Sequence, residues 1–148
     1  MKRTLFFICL IEGILVSCNS NVNEDMLEKR QYDWLSEEDK EAASDPNSII
    51  GIWELYAVNQ EIDILIPSKS QDLFCFLSNG RVKVVRNNDK YPCILKTGDF
   101  DYFYDKEKKI LKIDGYHYQC IISDAKMNMN LVEESVCDWS TYKFRKTR

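Results

Sequence analysis

The chain has 148 residues, with 20 Lys and Arg against 24 Asp and Glu, and a formal net charge of −4 at pH 7. That length suits one domain of the usual ~100–200 residues. The acidic balance argues against nucleic acid as a partner, because holding a phosphate backbone takes clustered cations.

In chain order, Lys2 and Arg3 precede a mostly apolar run from Thr4 to Val16. The run is shorter than the ~20 residues of a membrane span and suits the apolar core of a signal peptide. Glu12 is a costly guest in it. The run ends in Leu15-Val16-Ser17-Cys18, which resembles the lipobox of bacterial lipoproteins. The resemblance implies removal of residues 1–17 and several acyl chains on Cys18, more than the single chain that anchors only marginally. It places the protein in the bacterial cell envelope, lipid-anchored to the outer membrane, with the periplasmic or surface face left open. Lys2, Arg3 and Glu12 leave with the leader, so the remaining chain is near −5.

Residues 18–48 read as an acidic tether. Between Glu24 and Asp45 there are nine acids against Lys29, Arg30 and Lys40. Ser36, followed by Glu37, Glu38 and Asp39, is an N-cap with acids in the first turn, where the helix dipole favours them. Pro46 biases Asp45 away from helical angles and ends that helix near Ala43 or Ser44. Its apolar content is thin, so it either docks weakly or stays solvated.

From Ile49 onward the pattern has period two and no helical period returns, so residues 49–148 are expected to be all β. Ile50 to Val58 alternates with Trp53, Leu55 and Ala57 on one face. Ile62 to Ile66 adds a short strand or a turn. Leu73 to Ser78 and Arg81 to Arg86 flank Asn79-Gly80, the pair favoured in a two-residue type I′ hairpin. That turn would set Cys75 opposite Val84 and Leu77 opposite Val82. Strands follow at Asp99 to Tyr104, Lys109 to Ile113, His117 to Ser123, Met127 to Leu131 and Thr141 to Arg145. Their predicted inward residues are Phe100, Tyr102, Tyr104, Leu111, Ile113, Tyr116, Tyr118, Ile122, Met127, Met129, Leu131, Tyr142 and Phe144, with Trp53 and Leu55 from the first strand.

About eight strands joined mostly by tight turns must protect their edges, and closure into an antiparallel up-and-down barrel does so. Gly51-Ile52-Trp53, the Phe76-Leu77-Ser78-Asn79-Gly80 hairpin and Tyr142-Lys143-Phe144 together resemble the lipocalin-like domains of bacterial lipoproteins. The resemblance covers roughly Ile49 to Lys146 and implies a lipocalin-like barrel in which Trp53 packs across the base.

A barrel of this size fills itself with side chains or holds one small ligand. The candidates for contacting a ligand are Trp53, Tyr102, Tyr104, Tyr116, Tyr118 and Met129. Four cysteines remain after Cys9 leaves and Cys18 is lipidated: Cys75, Cys93, Cys120 and Cys137. In an exported chain they are disulfide candidates, with free buried thiols or a metal site as alternatives. Extending the sheet through Tyr91 to Lys96 would separate Cys75 and Cys93 by two strands, too far to bond, so that bridge needs a loop at Pro92. Cys120 with Cys137 is the other plausible pair.

Catalysis finds no support. His117, the lone histidine, falls on the outward face, opposite in direction to Cys120, and adjoins no nucleophile motif. Glu133 and Glu134 are adjacent and point apart. Asp99, Asp101 and Asp105 lack the glycine-bent loop of a calcium site. The reading is therefore a non-enzymatic protein without metal or cofactor. It binds a small apolar or amphipathic molecule or, alternatively, acts as a protein-interaction module of the envelope.

Overall fold

The structure, a computed structural model, describes residues 33–59, 63–67, 71–87, 95–132 and 141–147. Nine strands follow one helix: α1 (Glu37–Ala43), β1 (Gly51–Asn59), β2 (Asp63–Leu65), β3 (Leu73–Phe76), β4 (Arg81–Val85), β5 (Gly98–Asp105), β6 (Ile110–Ile113), β7 (Tyr116–Ser123), β8 (Lys126–Leu131) and β9 (Thr141–Lys146). Strands β3 to β9 pair in sequence, all antiparallel, and β1 pairs with both β3 and β9. The result is a closed eight-stranded barrel, as the alternation and tight turns imply.

The ninth strand is accommodated by dividing one edge of β1. Its first half, Gly51 to Glu54, pairs with β3, and its second half, Ala57 to Asn59, pairs with the short exposed β2. On the other edge the register with β9 shifts between Leu55 and Ala57. This bulge at Tyr56 reverses which side chains face inward, so Val58 joins the interior and Ala57 does not. The expectation that Ala57 shares a face with Trp53 and Leu55 is therefore corrected. An unbroken alternation takes no account of the inserted residue.

The Asn79-Gly80 hairpin also differs from its expected geometry. Cys75 lies opposite Lys83, and Phe76 opposite Val82, one residue out of the predicted register. Leu77 N–H donates to Arg81 O, and Gly80 N–H to Leu77 O, which makes a three-residue loop of Ser78, Asn79 and Gly80. Gly80 alone takes positive φ, at 78°, whereas a type I′ turn needs it at both central residues. A one-residue slip exchanges faces throughout. Phe74, Phe76, Val82 and Val84 thus point into the barrel, while Leu73 and Cys75 point out. Two-residue turns with both φ positive occur elsewhere, at Asp114-Gly115 and at Asp124-Ala125.

The outward apolar face of β1 and β3 is covered by α1. Seven residues cannot hold a helix alone, but Ser36 and Asp39 form a reciprocal capping box. Leu35 and Ala43 then pack on Ile52, Leu73 and Cys75, with Trp34, Leu77 and Val85 at the margin. Asp39 Oδ1 accepts the Ser78 N–H at 2.7 Å, tying the helix to the β3–β4 turn. The helix docks, which resolves the two alternatives left open by its composition.

Candidate functional site

The strand directions give the barrel two unlike ends. At one end the connections are residues 78–80, 106–109 and 124–125, and we term it the turn end. At the other end lie residues 66–67, 71–72, 86–87, 95–97 and 132, where the connections longer in sequence begin and end, with the tight turn 114–115 between them; this is the loop end.

The turn end is sealed by Trp53. Its ring is fully buried, its Nε1–H donates to Ile49 O at 2.8 Å, and Lys146 Nζ lies 5.3 Å from the ring centroid. The ammonium also donates to Asp45 O and Ser48 O, at 2.7 and 2.9 Å. Burial lowers the Lys146 pKa to about 8, against a smaller opposing effect of Asp45. Tyr102 belongs to the same end: its hydroxyl donates to Leu77 O at 2.8 Å, and its ring meets Phe76 edge-on at 5.0 Å. Burial, reinforced by the charges of Asp39 and Cys75, pushes its pKa up to about 12. Tyr104, just before the 106–109 turn, is also shifted upward, by burial and then by Cys120.

The remaining ligand-contact candidates lie farther toward the loop end. Tyr116 opens β7 beside the 114–115 turn and is half-buried; Tyr118 lies between Leu111 and Leu131; Met129 lies between Cys120 and Tyr142. The six candidates share one interior but not one place, since Trp53, Tyr102 and Tyr104 are fixed at the opposite end. The middle is crossed by Phe74 and Phe76, which the slipped register had hidden: Phe74 meets the predicted inward Phe144 edge-on at 4.9 Å and stacks on Phe76 at 6.5 Å.

At the loop end two side chains from connections enter the core. Ile66, after β2, and Leu95, before β5, are both buried in the interior cluster. Each is held through its carbonyl. Gln71 Nε2 donates to Ile66 O at 3.0 Å, and Arg86 Nη1 donates to Leu95 O at 3.2 Å. Continuing the alternation of β3 and β4 turns Asp72 and Arg86 inward, and they form an ion pair with side chains 3% and 12% exposed. Asn87 bridges the two halves, its N–H donating to Asp72 Oδ1 and its amide Nδ2 to Gln71 O, both at 2.7 Å. Of the three buried polar residues among those described, Gln71 and Asp72 belong to this network, and Asp39 caps α1. Sequence reading missed Ile66, Leu95 and the Asp72–Arg86 pair. The signal available was a short apolar run in each segment, Ile64-Leu65-Ile66 and Ile94-Leu95.

Cys75 lies under α1 and Cys120 inside the barrel, both as free thiols and both raised to about 12, chiefly by burial. Cys93 and Cys137 lie outside the described residues, as do Glu133, Glu134 and Cys18. His117 is exposed opposite Lys112, while Cys120 points inward, so the two do face opposite ways. Asp99 and Asp101 face outward, and Asp101 pairs with Arg81 at 2.7 Å. Among the described residues no group of three His, Cys, Asp or Glu is placed to hold a metal ion, and no helix is long and apolar enough to cross a membrane. No protein-family profile matches the chain, and a search of curated proteins finds no relative.

Proposed function

We propose that this chain is a non-catalytic binding protein of lipocalin-like type, held at a bacterial envelope membrane through lipid on Cys18, which takes a small apolar or amphipathic molecule at the loop end of its barrel. The observation that carries this reading is the asymmetry of the two ends. Tight turns and the Trp53–Ile49–Lys146 contacts close one. The other combines long connections, apolar side chains lowered into the interior and a buried ion pair, the mixture of apolar walls and few polar groups that small-molecule sites present. Of the ligand-contact candidates, Tyr116, half-buried beside the 114–115 turn, and the buried Tyr118 and Met129 are the ones nearer that end, and no cofactor enters the reading.

A second reading has its own observation. Strand β2 has all its residues exposed, Leu65 at 70%, and among the described residues its outer edge pairs with no strand, an edge a protein partner could extend. Mass spectrometry of a Cys18→Ser form exported to the periplasm separates the two. Extra mass in the native spectrum that disappears on denaturation supports the small ligand. Its absence from a folded protein favours the interaction module. The denatured mass with and without reductant also reports whether the cysteines are bridged.

A further inference from the structure

The loop end is filled by side chains that belong to its connections. Ile66 and Leu95 lie where an apolar ligand entering from that end would have to lie, and both come from connections rather than strands. Their backbones are secured by one continuous set of bonds: Gln71 to Ile66, Asn87 to Gln71 and to Asp72, Asp72 to Arg86, and Arg86 to Leu95. The turn end is secured differently: Ile49 is continuous with β1, its carbonyl accepts from Trp53 Nε1–H, and Lys146 Nζ donates to Asp45 O and Ser48 O. The set is therefore mechanically linked: moving Leu95 out takes its carbonyl away from Arg86 Nη1.

Resting on the ligand-binding reading above, we propose that Ile66 and Leu95 are stoppers which the ligand displaces, and that Arg86 receives its polar end. The ligand is then an amphipathic molecule with an apolar body and a hydrogen-bond-accepting head, such as a carboxylate or sulfonate. The body replaces the Ile66 and Leu95 side chains, and the head replaces the Leu95 carbonyl at Arg86 Nη1. A molecule with the same body but no acceptor leaves that exchange incomplete: Arg86 keeps its ion pair with Asp72 but loses the Leu95 carbonyl at Nη1, and a buried charged donor that loses one of its acceptors carries a desolvation penalty. The bond between a charged donor and its acceptor corresponds to about tenfold in affinity or more.

The test uses two fluorescent probes with one apolar body, anilinonaphthalene sulfonate and the uncharged phenylnaphthylamine, on the Cys18→Ser chain. Leu95→Ala should bind both probes more tightly than the parent does. Ile49→Ala, a truncation in the same core at the turn end, should not. The ratio of sulfonate to uncharged affinity should be about tenfold higher in Leu95→Ala than in Ile49→Ala, and Arg86→Gln should lose that preference. Equal binding by the parent and Leu95→Ala overturns the stopper while leaving the ligand reading standing. Equal gains in Leu95→Ala and Ile49→Ala mean general loosening and also overturn it. A ratio unchanged in Leu95→Ala removes the head-group role of Arg86, and that comparison stands even where Arg86→Gln does not fold. No uptake of either probe by any variant sinks both the stopper and the binding reading.

Discussion

Leu55 and Val58, three residues apart on one strand, both point into the barrel. Leu55 faces Phe144 and Val58 faces Tyr142 across the same pair of strands. Period two forbids this unless a residue is inserted between them, and Tyr56 is that residue. The bulge lies where β1 exchanges β3 for β2 along its other edge, so one irregularity both bends the strand and accommodates the extra one. Val58→Ala should therefore lower stability by about 2 kcal/mol, through lost transfer energy and the cavity left behind. Urea unfolding reads it. A midpoint unchanged from the parent would mean that Val58 faces solvent.

The turn at Asp124-Ala125 holds a second irregularity. Ala125 takes φ 58°, a left-handed conformation costly for a residue with a Cβ. It is held there by two backbone bonds, Ala125 N–H to Pro46 O and Lys146 N–H to Ala125 O. Ala125→Gly should raise the thermal midpoint, by an amount corresponding to a few tenths to about 1 kcal/mol once the looser unfolded chain is counted. Gly115→Ala, at φ 83° with open space around it, should lower it by strain alone. Calorimetry on the two variants should give opposite signs.

The clasp of α1 on the barrel can be followed through Cys75. Ser36→Ala removes half of the capping box and should weaken the helix by about 1 kcal/mol. A maleimide probe resolved by peptide mass should then label Cys75 faster while Cys120 keeps its rate. Acid should act the same way. Burial raises the Asp39 pKa, but hydrogen bonds from Ser78 and Ser36 outweigh it and leave the carboxyl below its ordinary value. The stability from Asp39 is thus present above the ordinary carboxylate pKa and is lost as pH falls through the lower folded value. Equal acceleration at both cysteines would mean global unfolding rather than release of the helix.

Alkaline conditions set two effects against each other. Lys146 has a folded pKa of about 8 against an ordinary 10.5, so above pH 8 the unfolded chain binds more protons and stability rises. As a neutral amine its two N–H groups still satisfy Asp45 O and Ser48 O. Cys75 and Cys120 act oppositely, since their pKa is raised from 9.0 to about 12 and ionisation favours the unfolded chain above pH 9. Stability should rise between pH 8 and 9 and fall beyond. Lys146→Met should abolish the rise and keep the fall; a rise that survives in Lys146→Met would remove Lys146 as its cause.

Much of the barrel was legible because half of its wall alternates without exception. In β8, Met127, Met129 and Leu131 point in and Asn128 and Asn130 point out, and the neighbouring strands follow the same rule. The closed topology followed from turn spacing. What escaped was the β3–β4 wall, because α1 covers its outer face and makes Leu73-Phe74-Cys75-Phe76 apolar on both sides. A run without alternation carries no register, and Asn79-Gly80 fits a two-residue or a three-residue turn equally well. The stoppers escaped for a related reason. Ile66 and Leu95 lie in connections, where no periodicity marks a buried position, and their role depends on contacts with Gln71 and Arg86 that only the fold creates.

The difference between the two ends of the barrel is the claim on which the functional reading rests, and native-state hydrogen exchange measures it directly. At the loop end the Ile66 N–H donates to Tyr56 O and the Asn87 N–H to Asp72; at the turn end the Tyr102 N–H donates to Gly80 O and the Lys146 N–H to Ala125 O. If the loop end opens while the barrel stays folded, the Ile66 and Asn87 amides exchange through a local opening that is insensitive to low denaturant. Tyr102 and Lys146 then exchange only with global unfolding. All four amides exchanging together, with one common dependence on denaturant, would contradict the account.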